Sequence, residues 1–367
     1  MKRHVKNPKN PSITKAVLTT VISAHLLLAG VEAKAQCPVT DLTTGLLRPI
    51  GITLSQKDNL LVSESGTSNP NTGRISIVDL KGVRRTLISG LPSGISFEAN
   101  APSGPDGLFL RGRTLYVAIG VGDAVIAGPT QGTTAPNPNP SSALFSSILA
   151  IHFSAKVEKT TTGFTLTLAD QQTLANRTPV TLSNGSRDTI TIELIANFPD
   201  YAPEPLPSFA GNVRNTNPFD LVAVGNQLFV TDGGRNHVWR VNLATGDYSI
   251  LTAFPPIPNP LFNPTPPPPS VGRPTSEAVP TGIAYVDGKL LVTLFRGFPF
   301  AQGTSVVEQI DPQTGRHGPL ITGLKTAIDV LPIKADADDG SATRYLVLQH
   351  ASGAFLSPPG LLLRFET

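Results

Sequence analysis

Polar side chains recur at comparable points of this sequence, beside proline and glycine or after short apolar runs. Carboxylate and amide oxygens grouped in this way could hold calcium or polarise a bound phenol or carbonyl. Asp next to Pro and Gly also caps turns through its own backbone, which is the structural explanation for each residue taken alone. The candidates for a ligand or metal site are Glu64, Asp106, Asn217, Asp220, Asp232, Asn236, Thr281 and Asp329.

A second set of candidates is aromatic and lies in or near proline-rich stretches. Phe254 and Phe262 flank a run with many prolines, and Phe298 and Phe300 form the motif Phe298-Pro-Phe300. Proline restricts a loop without needing hydrogen bonds. These rings could form an aromatic wall for a flat ligand, or they could pin the loops to the sheet beneath them.

Several kinds of chemistry find no support in the composition. Cys37 is the single cysteine, which excludes an internal disulfide, and Met1 is the single methionine. A blue-copper centre and a covalently attached haem therefore lack their usual ligands. Calcium on oxygen ligands is the metal we expect if one binds. Because no nucleophile elbow or dinucleotide fingerprint occurs, the catalytic residues are unknown and the sequence does not decide whether this is an enzyme.

The elements that must position these residues repeat along the chain. The clearest unit joins Pro218–Leu221, Gln227–Asp232 and His237–Asn242, and similar units begin at Pro49, Pro105, Pro280 and, in degenerate form, Ala327. Each unit holds three or four short strands separated by Gly, Asn and Asp turns. One such sheet cannot bury its own faces, so the sequence predicts an all-β fold in which several sheets pack radially as a β-propeller.

The number of blades follows less directly from the sequence. About sixty extra residues separate the second and third units, and they could complete the second blade or form another. We expect six blades, with five as the alternative and a β-sandwich as the other fold that uses short alternating strands. The residues after Thr40 are expected to supply the strand that closes the ring against the last blade.

Most long loops are expected at one end of the propeller. The connection from the second to the third strand of a blade and the connection between blades emerge together at that end. The long loops 120–146, 200–217 and 254–279 all belong there. Ordered loops on a rigid scaffold commonly carry binding sites.

The first 35 residues have the features of an export signal. Basic residues precede an apolar run at 16–30, which is shorter than a spanning helix, and Ala33-Lys-Ala35 suits signal peptidase. We expect a signal peptide at 1–35, a single propeller domain at 36–367, and a periplasmic or secreted location without membrane insertion. The leader carries six bases and one acid, so the remainder holds 23 bases against 25 acids. A nucleic-acid partner is therefore not expected.

Several phrases of the sequence resemble the ScyD/ScyE family. They are Ser103–Leu110, Leu115–Gly120, Asn217–Leu221, Val230–Asn236, Glu277–Ile283 and Leu291–Phe300. The resemblance implies a six-bladed propeller of the NHL/TolB type that is made with a signal peptide. It also implies a late, periplasmic role in the cyanobacterial synthesis of scytonemin, an indole–phenol pigment. The resemblance supplies no catalytic residues.

Three functions follow as hypotheses. The protein could oxidise and couple the aromatic monomer, or hold it, on the face with the long loops. It could instead be a non-catalytic propeller that binds a small molecule or a protein. It could also be a calcium-dependent hydrolase of the lactonase kind. A small aromatic molecule is the expected partner under the first hypothesis.

Overall fold

Antiparallel strands make up nearly all the regular structure of the chain. The computed structural model describes residues 40–265, 270–333 and 343–366, so the leader at 1–35 lies outside the described residues. The chain divides into the units Met1–Asp41 and Leu42–Thr367, and the fold set out below is that of the second unit. Across the described ranges, no helix has both the length and the apolar character needed to cross a membrane.

The first blade is a sheet of four antiparallel strands in chain order, followed by a short hairpin. These elements are β1 (Pro49–Leu54), β2 (Leu60–Glu64), β3 (Gly73–Val78), β4 (Arg84–Leu91), β5 (Gly94–Ser96) and β6 (Ala101–Ser103). The strand β1 is innermost and β4 lies toward the outside. A tight turn at Ser55–Asn59 joins β1 to β2.

The second blade is the largest, with the strand order β7-β8-β11-β14-β13. Its elements, in chain order, are β7 (Pro105–Arg111), β8 (Thr114–Ile119), β9 (Val125–Ala127), β10 (Thr134–Pro136), β11 (Ser147–His152), α1 (Ala155–Thr160), β12 (Phe164–Thr165), α2 (Leu168–Ala175), β13 (Val180–Ser183) and β14 (Thr189–Asn197). Five consecutive residues of β11 are buried, because this strand is covered by a neighbouring blade on each face.

The extra residues after the second repeat complete blade 2 and do not form a blade of their own. Ser154 caps α1 by accepting a hydrogen bond from the Val157 N–H, and Thr167 with Asp170 forms a capping box at the start of α2. Between these helices, β12 leaves its own blade and pairs in parallel with β4 of blade 1.

The remaining blades follow in order, with four, four and three strands. Blade 3 and the hairpin before it comprise β15 (Tyr201–Pro203), β16 (Val213–Asn215), β17 (Pro218–Val224), β18 (Gln227–Asp232), β19 (His237–Asn242) and β20 (Tyr248–Ala253). Blade 4 and its preceding hairpin comprise β21 (Ile257–Pro258), β22 (Thr275–Ser276), β23 (Pro280–Val286), β24 (Lys289–Leu294), β25 (Ser305–Ile310) and β26 (His317–Leu324). Blade 5 comprises β27 (Ala327–Ile333), β28 (Arg344–Gln349) and β29 (Leu361–Glu366).

The all-β propeller is confirmed, and the described residues form five blades, which was the alternative count. Four apolar clusters fill the four interfaces between successive blades. The cluster between blades 1 and 2 is the most extensive and the cluster between blades 4 and 5 includes Val307 and Val347. The residues on which we based a sixth blade are those that complete blade 2.

The ring is open between blade 5 and blade 1 within the described part of the chain. The inner strands β1, β7, β17, β23 and β27 lie side by side in that order, but no comparable packing joins β27 back to β1. Apolar side chains on both sides of the opening are exposed, with Ile52 at 62% and Leu331 at 58%. The strand β29 pairs with β28 alone among the described strands.

The segment before β1 has the path of an outer strand that leads into the next blade. The Leu42 carbonyl packs against Gly82 in blade 1, as the Leu251 carbonyl of blade 3 packs against Gly315 in blade 4. Gly45 has φ 74°, close to the 76° of Gly323 at the end of β26. We expected this segment to close the ring against the last blade, and its pairing with β29 stays a prediction.

Candidate functional site

The candidate site lies at the end of the propeller where the inner strands begin. Because neighbouring strands are antiparallel, the loops between second and third strands and the loops between blades all emerge at this end. They include the loops 120–146, 200–217 and 254–279, which carry the hairpins β9–β10, β15–β16 and β21–β22. We call this end the long-loop face.

A β-bulge near the start of each inner strand brings adjacent inner strands into close contact. The pairing register shifts between Pro105 and Leu108 in β7 and between Pro218 and Leu221 in β17, and the other three inner strands shift at equivalent points. A Cβ atom on Gly107 would lie 2.5 Å from Oδ1 of Asp220. Glycine is therefore required there, since any side chain would displace the neighbouring carboxyl group.

Hydroxyl groups brace these bulges from the second strands. Thr231 Oγ1 accepts a hydrogen bond from the Asp220 N–H at 3.0 Å and donates to the Thr281 carbonyl at 2.5 Å, which joins blade 3 to blade 4. Ser63 accepts from the Gly51 N–H at 2.8 Å and donates to the Asp106 carbonyl, which joins blade 1 to blade 2. Thr281, which we proposed as a ligand residue, is itself buried against Thr293 and has a structural role.

Asp106 is a buried carboxyl group and Asp220 is a half-buried one, and both lie at these bulges with few partners. The Ser65 hydroxyl lies 3.4 Å from Asp106 Oδ1, and burial raises the pKa of Asp106 to about 8. Asp220 Oδ2 accepts from the Ile283 N–H at 3.0 Å. Burial, followed by the negative charge of Asp329, raises the pKa of Asp220 to about 8. Both groups are largely protonated at pH 7, so each can donate a hydrogen bond.

Asp329 and Asp200 extend this set of acids. Asp329 is exposed, although desolvation by its surroundings raises its pKa, and its Oδ1 accepts from the Val330 N–H at 2.7 Å. Asp200 was not among the sequence candidates, and burial raises its pKa to about 6. Asp200 follows Pro199 after the last residue of β14, a position that turn chemistry alone would explain, so its spacing gave no signal of a buried acid.

Four of the proposed site residues organise loops instead. Glu64 is held by Arg74 at 2.6 Å, by Ser76 and by the Leu47 N–H. Asp232 accepts hydrogen bonds from the backbone N–H groups of Asn217 and Arg235 and from the indole N–H of Trp239. Asn217 Oδ1 accepts from the Val121 N–H, and Asn236 Oδ1 accepts from the Val279 N–H. Their oxygens are therefore largely occupied by the protein itself.

The four proposed aromatic residues separate into different environments. Phe254 is 4% exposed and belongs to the apolar cluster between blades 3 and 4, so its ring packs between the blades. Phe262 is partly buried in the loop between β21 and β22. Phe298 is 52% exposed and lies edge-on to Phe300, with ring centroids 5.9 Å apart.

Phe355, which the sequence analysis missed, completes this group. Its ring stacks on Phe298 with centroids 5.8 Å apart and planes 4° apart, although the two residues lie in loops of different blades. Phe355 is also 50% exposed. We call Phe298, Phe300 and Phe355 the aromatic cluster. Its large exposed area on the long-loop face is unusual for side chains that could have packed inward.

The described residues do not form a ligand set for the metal that we expected. Among residues 40–265, 270–333 and 343–366, no three His, Cys, Asp or Glu side chains converge as metal ligands. Calcium therefore stays an untested expectation for this face.

Comparison with known proteins gives similarity at the level of fold. No family model matches the sequence, and no curated protein matches it. Among solved structures, the major allergen Mala s 1 of Malassezia sympodialis is 12% identical, with 87% of this chain and 78% of that chain covered and a TM-score of 0.39. The PQQ-bound aldose sugar dehydrogenase of Streptomyces coelicolor is 15% identical, with 85% and 90% covered and a TM-score of 0.29. Nothing about activity follows from similarity at this level.

The long-loop face thus combines two kinds of group. The aromatic cluster offers exposed ring faces, and Asp106 and Asp220 are acids that burial keeps protonated. Such groups can stack against a flat molecule and can donate hydrogen bonds to a phenol or carbonyl oxygen.

Proposed function

We propose that this protein is an exported propeller, periplasmic or secreted, that holds a flat indole–phenol molecule on its long-loop face during a late step of scytonemin-type pigment synthesis. The resemblance to the ScyD/ScyE family suggests the ligand class. The observation that carries the proposal is the stacked and exposed pair Phe298 and Phe355, which presents aromatic surface where the long loops meet.

Holding the monomer is favoured over oxidising it. Phenyl rings and carboxylic acids bind a phenol, but an oxidative coupling must pass two electrons from the two monomers to an acceptor. Those electrons would pass to oxygen or to a bound cofactor. The exposed rings and the acids of the long-loop face supply contacts for the monomer itself, so we assign positioning to this protein.

The test is to incubate the mature protein, from Gln36, with the scytonemin monomer in air, once with calcium and once with a chelator. Binding is followed by ligand fluorescence and products by mass spectrometry. We expect saturable binding and no dimer in either condition. Phe298→Ala is expected to weaken binding about fivefold, because one stacked ring contributes about 1 kcal/mol.

Leu168→Ala is the matched control, since Leu168 is a 62% exposed apolar residue on α2, remote from the aromatic cluster in the fold. Its binding should equal that of the unaltered protein. If the dimeric product forms only with calcium, the proposed holding function is wrong and a metal-dependent coupling function takes its place. Absence of binding would reject the pigment ligand altogether.

A further inference from the structure

A groove of about 450 Å³ separates blades 3 and 4 at the end opposite the long-loop face. Its position follows from the strand directions, because Val224 and Asn242 lie at the ends of β17 and β19, and Tyr285 lies near the end of β23. Polar side chains form most of the lining. They are Gln227, Arg240, Asn242, Asp247, Ser249 and Gln313.

The groove exists because the interface between these blades changes character along its length. Near the long-loop face, Val222 and Val238 of blade 3 pack with Ile283 of blade 4 in an apolar cluster. Two residues further along β19, the same face of the sheet carries Arg240, opposite Ser249 on β20. A polar surface of this kind is not covered by the neighbouring blade, so the lower half of the interface stays open.

Blades 1 and 2 carry an apolar residue at this point. The residue that pairs with the third residue of β18 is Arg240, and the corresponding partners in blades 1 and 2 are Ile77 and Ala150, which are both 0% exposed. Blades 4 and 5 carry the polar residues Gln309 and Arg364 there. In blade 3 the guanidinium group of Arg240 lines the gap that faces blade 4.

The guanidinium group of Arg240 has N–H donors that are not used in hydrogen bonds to described residues. Its hydrogen bond runs to Ser249 Oγ at a distance of 3.5 Å, and no carboxylate of a described residue forms an ion pair with it. A guanidinium group presents a planar fork of donors that matches a carboxylate in two hydrogen bonds. The groove therefore contains an anion-binding group that the protein itself does not satisfy.

Aromatic and amide groups surround this charge. Tyr285 is 40% exposed on the blade 4 side, and Tyr248 is fixed by edge contacts to Trp239 and Phe198. Asn242 Oδ1 accepts from the Ala244 N–H and the Asn226 amide, which fixes its orientation. Amide side chains both donate and accept hydrogen bonds, as sugar hydroxyl groups do.

We propose that this groove binds a hexuronate unit, an acidic sugar, with the carboxylate on Arg240, the sugar ring against Tyr285 and the hydroxyl groups on Asn242 and Gln313. A neutral sugar would leave the arginine unpaired. A simple inorganic anion would not use the tyrosine and amide groups that share the groove. This binding site is separate from the long-loop face and does not depend on the function proposed there.

The experiment uses the mature protein and two defined trisaccharides, trigalacturonate and the neutral galactotriose, in calorimetric titrations at low salt. We expect trigalacturonate to bind with a dissociation constant on the order of 0.1–1 mM and galactotriose to bind at least about tenfold more weakly. Arg240→Gln should abolish the preference for the acidic sugar. Tyr285→Ala should weaken the binding of both sugars, because it removes the contact with the ring and leaves the charge of Arg240 in place.

Lys57→Gln is the matched control, because Lys57 is an exposed cation in the β1–β2 turn at the same end of the propeller. This variant should bind trigalacturonate as the unaltered protein does. Equal binding of the two sugars, no heat with either, or an Arg240→Gln variant that keeps its preference would each overturn the proposal. Circular dichroism establishes whether each variant is folded. If Arg240→Gln does not fold, the binding of the two sugars by Tyr285→Ala decides the test.

Discussion

Replacing Asp220 with Asn tests whether burial keeps this acid protonated. Asp220 has an ordinary pKa of 3.8, and burial together with Asp329 raises it to about 8 in the folded protein. The folded state thus binds more protons than the unfolded state between these values. The stability associated with protonated Asp220 is fully present below pH 3.8 and is lost as the pH rises through 8.

The size of the effect follows from the same two pKa values. Each pH unit between them contributes about 1.4 kcal/mol, so the full range from 3.8 to 8 amounts to an upper value of about 5 to 6 kcal/mol. An Asn side chain keeps an oxygen that can accept the hydrogen bond of the Ile283 N–H, and it cannot ionise. The variant Asp220→Asn should therefore gain stability relative to the unaltered protein as the pH rises, and the gain should level off above pH 8.

The measurement is chemical denaturation of both proteins at pH 5, 6, 7, 8 and 9. Asp58→Asn serves as the control, because Asp58 is an exposed turn residue with φ 58° that Asn adopts readily. Its stability difference should be the same at each pH. A constant difference for Asp220→Asn across the series would refute the conclusion that burial raises this pKa.

Three further variants test the supports of the site. Gly122→Ala should lose at least about 3 kcal/mol in thermal or chemical denaturation, because Gly122 has φ 51° and its missing side chain would overlap the buried ring of Phe145. Asp232→Ala should lose about 3 kcal/mol and change the fluorescence of Trp239, since it removes the acceptor of three hydrogen bonds. Burial acts to raise the pKa of Glu158, but hydrogen bonds from Ser55, Asn59 and Arg113 outweigh it and lower the pKa. Stability from this group is present above pH 4.5 and is lost as the pH falls through the lowered pKa. Glu158→Gln should therefore be less stable than the unaltered protein at pH 7 in chemical denaturation, and the difference should shrink as the pH falls below 4.5.

The sequence predicted the blades better than it predicted their number. Alternation of apolar residues marks each strand, and the start of β17 at Pro218 and of β23 at Pro280 agree with the sequence units. Blade count depended on the residues between the second and third units, where local pattern does not reveal which sheet a strand will join. For example, β12 pairs with β4 of blade 1, and this pairing is set by tertiary contacts and not by local sequence.

The candidate site was predicted in part for a similar reason. Asp106 and Asp220 were both identified as candidates from the sequence, and both have few partners, with Asp106 buried and Asp220 half-buried. Asp232 looked the same in sequence but is occupied by hydrogen bonds from residues up to fifteen positions away. Phe355 could not be paired with Phe298, because 56 intervening residues separate them and no local rule connects two loops of different blades.

The strand β12 has a consequence for how the protein opens. In blade 2 it is the short link between two helices, yet its backbone completes the outer edge of blade 1. Gln171 of α2 reinforces the link through Asn71 and the Gly90 carbonyl, both of blade 1. Blades 1 and 2 therefore share a strand pairing as well as an apolar cluster, whereas no described strands of blades 3, 4 and 5 pair across blades. In native-state hydrogen exchange, blades 1 and 2 should open together as one cooperative unit, and blade 5 should open separately and at lower free energy.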